Sequence, residues 1–125
     1  MLSYLLISFC LFFTSHQTKT PAPVIQTSLL YRHWIHSQEE DNSTQGTITY
    51  RPSTYSFPPA RGRDGFELKK GGAMLSHQIA AADGNRTVQE KWKLKKNELT
   101  MTGKSSARRF KIVSLTQDKL ILKRL

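Results

Sequence analysis

From Arg86 to Arg124 apolar and polar residues alternate in short runs separated by turn signals. In Lys91-Trp92-Lys93-Leu94-Lys95 every second residue is apolar, so a strand here turns Trp92 and Leu94 to one face and three lysines to the other. Lys96-Asn97 supplies a turn, with asparagine the residue suited to positive φ. Leu99 and Met101 resume the alternation, and Gly103-Lys104-Ser105-Ser106 interrupts it. Phe110 and Ile112 follow, then a turn at Thr116-Gln117-Asp118, then Leu120 and Leu122 set against Lys119, Ile121 and Lys123. The period of two throughout predicts four strands joined as a meander.

Upstream, Leu29 to Ser37 is rich in strand formers on both parities, with Trp34 the expected core residue. Thr47–Tyr50 predicts a second strand. Gly65–Lys69, the turn Lys70-Gly71-Gly72 and Ala73–Ala80 predict a hairpin, closed onto the meander by a turn at Asp83-Gly84-Asn85. About eight strands, no helix and short connections predict an all-β fold, an antiparallel up-and-down β-barrel. Arg51 to Asp64 breaks the pattern. It carries Pro52, Pro58 and Pro59, which fix φ and cannot donate to a ladder, so it predicts a long, stiff loop of defined shape. Loops of this kind often carry function. Arg51, Tyr55, Phe57, Arg61 and Arg63 are therefore the candidate ligand or partner residues, and the loop is expected to fold over one barrel end.

The first residues set the organisation. Tyr4 to Phe13 is apolar apart from Ser8. It is too short for a bilayer span of about 20 residues and suits the apolar region of an export signal. The expected division is a signal peptide over 1–18, an extended linker with Pro21 and Pro23 over 19–28, and one barrel domain over 29–125, with order beginning near Leu29. The mature domain is expected in the periplasm or secreted. Cys10 is the sole cysteine, so no disulfide framework or thiol nucleophile is expected in the domain.

Charge refines the picture. Of the formal net charge of +10, nearly all falls after residue 85, where twelve Lys/Arg face three Asp/Glu. Lys91, Lys93, Lys95, Lys119 and Lys123 form the expected basic face, able to meet an anionic polymer or membrane surface. No aromatic residues interleave with them, which argues against a specific nucleic-acid platform. Glu39-Glu40-Asp41 is expected to pin the proline loop by pairing with Arg51, Arg61 or Arg63. His33 and His36, three apart, cannot share one strand face, and the chain has no phosphate loop, nucleophile elbow or metal-binding motif. No cofactor, metal or catalytic residue is predicted.

Three stretches resemble the small bacterial lipocalin-like domains, distant members of the calycin group of eight-stranded barrels. They are Leu30-x-x-x-Trp34-x-x-Ser37, Glu90-Lys91-Trp92-Lys93-Leu94 with Glu98-Leu99, and Phe110-x-Ile112-x-x-Leu115-Thr116-x-Asp118-x-Leu120-x-Leu122. The chain is also similar to uncharacterised exported members of that group across Glu39-Glu40-Asp41, Tyr50-Arg51-Pro52 and Phe57 to Glu67, while Arg32 replaces the glycine usual two residues before the first-strand tryptophan. The resemblance implies a barrel and no particular activity. The expected function is a small exported binding protein of the cell envelope, holding a small apolar ligand or a partner at one barrel mouth and not an enzyme. The alternative is an interaction module docking its basic strand face to an anionic surface.

Overall fold

The computed structural model describes residues 25–80 and 84–125. The expected signal segment, most of the linker and Asp83 of the expected turn lie outside the described residues. Eight strands form: β1 (His33–His36), β2 (Thr47–Pro52), β3 (Gly65–Leu68), β4 (Ala73–Ala80), β5 (Gly84–Lys95), β6 (Glu98–Thr102), β7 (Ala107–Leu115) and β8 (Leu120–Arg124). They close in the order β1-β2-β8-β7-β6-β5-β4-β3, and every neighbouring pair is antiparallel. The chain is an all-β, closed, up-and-down barrel.

One link departs from chain order. β3 to β8 follow one another as hairpins, but β1 lies between β2 and β3, pairing Trp34 with Pro52 on one side and with Phe66 on the other. Both flanking strands run antiparallel to β1 and so run in the same direction. The connection 53–64 therefore returns along the length of β1 instead of turning at one end, which is why it is long.

The alternating pattern maps onto burial. Trp34, Phe66, Leu68, Met74, Trp92, Leu99, Met101, Phe110, Ile112, Leu120 and Leu122 fill the interior with Leu30 and Tyr50, while Lys91, Lys93 and Lys95 point outward and are exposed. Both indoles also satisfy their polar edge: Trp34 Nε1 donates to the Leu30 carbonyl at 3.2 Å and Trp92 Nε1 to the Lys69 carbonyl at 2.8 Å, as buried indoles require. Gly71 and Gly72 turn the β3–β4 hairpin at φ 85° and 89°, values that side-chain-bearing residues rarely adopt.

Three expectations need correction. The first strand is four residues, not nine, because Thr27–Leu29 forms a 3₁₀ turn that swings Leu30 under the barrel, where it is fully buried. Ile25, ahead of the expected start near Leu29, already packs on the core. Arg51 and Pro52 belong to β2, so the irregular segment begins at Ser53. At the β5–β6 turn, Lys96 and not Asn97 takes positive φ, at 57°, while the Asn97 carbonyl accepts from Ile112 N–H at 2.7 Å.

The β1–β3 seam depends on Gly65. A Cβ there would press into the Trp34 carbonyl oxygen and stand 3.1 Å from Ile35 Cα, whereas a Cβ at Gly84 would meet nothing within 4 Å. Gly65→Ala is expected to destabilise the full chain by about 1–3 kcal/mol, the usual scale of overpacking, and Gly84→Ala to fall within about 0.5 kcal/mol of the parent. Urea unfolding midpoints measure both, and equal midpoints would refute the tight seam.

Candidate functional site

Alternation along β1 places His36 on the parity of Trp34, at the seam between β2 and β3. Its Nε2 lies 2.8 Å from Asp41 Oδ2 and its Nδ1 3.1 Å from Asp64 Oδ1, so one imidazole ties the segment after β1 to the start of β3. The hydrogen bond to Asp64 is the main cause that raises the His36 pKa; the bond and charge of Asp41 add to it, against desolvation. The same hydrogen bond holds the Asp64 carboxyl below its usual value.

The acidic run pins the connection, as its pairing with arginine implied. Glu40 receives a bidentate contact from Arg51, at 2.8 Å from Nε and 2.6 Å from Nη2, and a 2.8 Å bond from Ser37 Oγ. Glu39 is held in the same way by Arg63, whose guanidinium also donates to the carbonyls of His36 at 3.2 Å and Pro58 at 2.8 Å. The arginine hydrogen bonds hold both glutamates at a pKa of about 2. Arg51 lies 4.6 Å from the Tyr55 ring centroid, Tyr55 packs edge-on to Phe57 at 5.0 Å, and Arg63 lies 4.9 Å from Phe57. These four residues form a cation–aromatic ladder.

That ladder runs from the outward side chain of Arg51 on β2 to Arg63 beside β1. The connection is thus a strap laid along the barrel wall, not a cover over one end as expected; the parallel run of β2 and β3 requires this. Arg61 is exposed and makes no ion pair among the described residues.

The barrel end beside the strap holds a cavity of about 290 Å³. Tyr50, Phe66, Met101 and Phe110 line it from the core, with Asp64, Ser76, Gln78 and Arg108 among its polar residues. Arg108 is anchored to Glu90 at 2.7 Å. Burial raises the Tyr50 pKa, so its hydroxyl stays protonated as a donor. Glu90 and Arg108 were not singled out from the sequence as site residues, Asp64 entered only as the end of the proline loop, and His36 only as unable to share a strand face with His33. Only His36 carried a signal, its parity with Trp34; the others meet through strand register.

The basic residues do not form one face. Lys91, Lys93 and Lys95 share the outer side of β5, but Lys123 lies on β8, opposite Lys111, and Lys119 sits in the β7–β8 turn near Glu40. Curvature places β5 and β8 three strands apart. Lys91 and Lys93 instead border a larger groove of about 1000 Å³ that also takes in Lys69 and Lys104. His33 and His77 stack at 4.4 Å, and among the described residues no three His, Cys, Asp or Glu side chains group as a metal would need.

The fold and site define a class: a small closed antiparallel barrel, compatible with a lipocalin-like fold, with a latched strap and an open end. Comparison with known protein families, characterised proteins and solved structures finds no match.

The latch gives a signed pH dependence. The raised His36 pKa contributes stability that is complete below the unfolded value of about 6.5 and is lost as pH rises through the folded value. Asp64, Glu39 and Glu40, with lowered pKa values, contribute stability that is present above about pH 4–4.5 and is lost on acidification. His33 titrates with the opposite sign to His36, because burial and His77 lower its pKa, so the comparison must be differential. The Tm gap between the parent and His36→Gln is expected to be widest near pH 5.5 and to narrow towards pH 8. A gap constant over that range would remove the latch.

Proposed function

We propose that the protein is a small, exported, non-catalytic binding barrel, kin to the bacterial lipocalin-like domains, that holds a compact ligand at the end between β3 and β7. The observation that carries this reading is the cavity lined by Tyr50, Phe66, Met101 and Phe110, with Arg108, Asp64 and Ser76 among its polar residues. An apolar lining with a few convergent polar groups is the usual form of a small-molecule site, and about 290 Å³ is at the small end of that range. The rest of the interior is filled with side chains, so the ligand is compact: a ring or short aliphatic body against the apolar lining, with an acidic or carbonyl group towards Arg108. No nucleophile is paired with an effective base in the site: Ser37 donates to Glu40, but Arg51 holds that carboxylate at a pKa of about 2 and neither residue lines the cavity, while Ser76 points inward and His77 out.

A second reading, docking to an anionic surface, is favoured by the β5 lysines, which have no ion-pair partner among the described residues. Methionine methyl NMR on the full chain separates the two, because Met101 lines the cavity. Benzoate and 2-naphthoate are expected to shift the Met101 methyl saturably, and Ser76→Phe, which fills the cavity, to abolish the shift. No saturable Met101 response to either acid, or a response unchanged in Ser76→Phe, overturns the mouth as the binding site.

A further inference from the structure

β5 is twelve residues long, and its two halves have different neighbours. β4 pairs with it from Gly84 to Lys91, whereas β6 pairs with it only from Lys91 to Lys95. Gly84 to Glu90 therefore has no strand on its second side among the described residues. The orientation of its backbone follows from two observations. Lys95 and Glu98 flank the two-residue Lys96-Asn97 turn as a closing pair, which is hydrogen-bonded in such hairpins, so the odd-numbered residues of β5 bond towards β6. The Trp92 carbonyl faces the other way, lying 3.2 Å from where a Cβ on Gly72 would stand. By alternation Asn85, Thr87 and Gln89 present N–H and C=O groups to the unpaired side.

This open edge meets β6 at a fork, and the groove of about 1000 Å³ reaches it from the β4 side, where it runs over Lys69 and Ala73. At the fork Gln89, Glu90, Thr102, Gly103 and Lys104 line it. Lys69, Lys91, Lys93 and Lys104 contribute four ammonium groups, none of them in an ion pair among the described residues. The single carboxylate of the groove, Glu90, is only 8% exposed and already bonded to Arg108. A strand edge is a template for an added strand, and the charge around it selects the sign of what is added. Pairing with a second copy would bring two such lysine clusters together.

We propose that the Gly84–Glu90 edge of β5 binds an extended acidic peptide segment of a partner protein as an added strand. Its backbone pairs with Asn85, Thr87 and Gln89, and its carboxylates meet Lys91 and Lys104 at the base of the fork. Side chains on one face of an extended peptide repeat every two residues, about 6.7 Å, so successive acidic residues on one face of its fork end can reach Lys91 and Lys104. This site is separate from the mouth cavity and stands or falls without it.

The test titrates the full chain with acetyl-(Thr-Glu)₄-amide. Saturable movement of the Trp92 indole N–H resonance and slowed hydrogen exchange at Asn85, Thr87 and Gln89 are expected, with the Met101 methyl unmoved. Two further peptides carry N-methyl groups on all Thr or on all Glu positions, keeping the charge and removing alternate donors. One of the two is expected to lose at least tenfold in affinity and the other to bind as the parent does. Gln89→Pro, which removes an edge donor and spares the β4 ladder, should weaken binding comparably. Four results overturn the proposal: no response to the peptide, both methylated peptides binding within twofold of the parent, acetyl-(Thr-Lys)₄-amide binding equally well, or inorganic polyphosphate binding more tightly while the three amides exchange freely with the peptide present. Protection of those amides in a peptide-free dimer, seen by sedimentation, assigns the edge to a second copy and also overturns it.

Discussion

The barrel closes through a strand of only four residues, β1, held on both sides by backbone pairing and by the absence of a side chain at Gly65. Everything unusual about the molecule follows from that placement. With β1 between them, β2 and β3 run in the same direction, and the chain must travel back along the wall to reach β3. A segment of that length has no ladder of its own to hold it. The acidic run after β1 and the arginines at either end of the strap supply the missing order through directional, charge-assisted contacts. Isolated surface ion pairs contribute little, but Arg51 and Arg63 are each mostly buried and each makes several bonds, so they fix geometry where regular structure is absent.

The architecture was legible where one physical rule acted alone. In β4 to β8 a half-buried wall imposes a period of two, and alternation located these strands and inward residues such as Trp92. It failed at Leu29 to Ile35, where apolar residues stand on both parities because Leu30 and Tyr31 pack beneath the barrel and only Trp34 faces into it from a strand. The pairing of Glu39 and Glu40 with arginines was readable because guanidinium and carboxylate groups flanking a stiff segment have few other uses. Which arginine met which glutamate was not, and Arg61 remained exposed. The path of the strap was unreadable, since local sequence does not reveal that β1 lies between β2 and β3. The mouth residues were hidden for the same reason: Asp64 ends the strap, Ser76 lies on β4 and Arg108 on β7, and they meet only through barrel closure.

The charge of the chain takes on a different meaning once it is folded. Acids cluster on the segment after β1, where arginines and a histidine consume them, while the lysines of β5 remain unmatched. The +10 excess is therefore local in effect. Screening over about 8–10 Å in physiological salt lets each lysine cluster act on what is near it and not as a uniform field.

The placement of β1 and β2 also orders the entropic cost of assembly. The hairpins from β3 to β8 close loops of a few residues, whereas β2 meets β8 through Thr47 and Lys123, 76 positions apart. Loop-closure entropy grows as about (3/2)RT ln n, so bringing that pair together costs about 2 kcal/mol more than closing a loop of some eight residues. The β3–β8 meander can form cheaply and locally, but it remains an open sheet with two bare edges until the β1–β2 hairpin arrives. β1 and β2, synthesised before the meander, are thus the strands whose docking must wait for the last strand, and the strap is the tether that keeps them within reach.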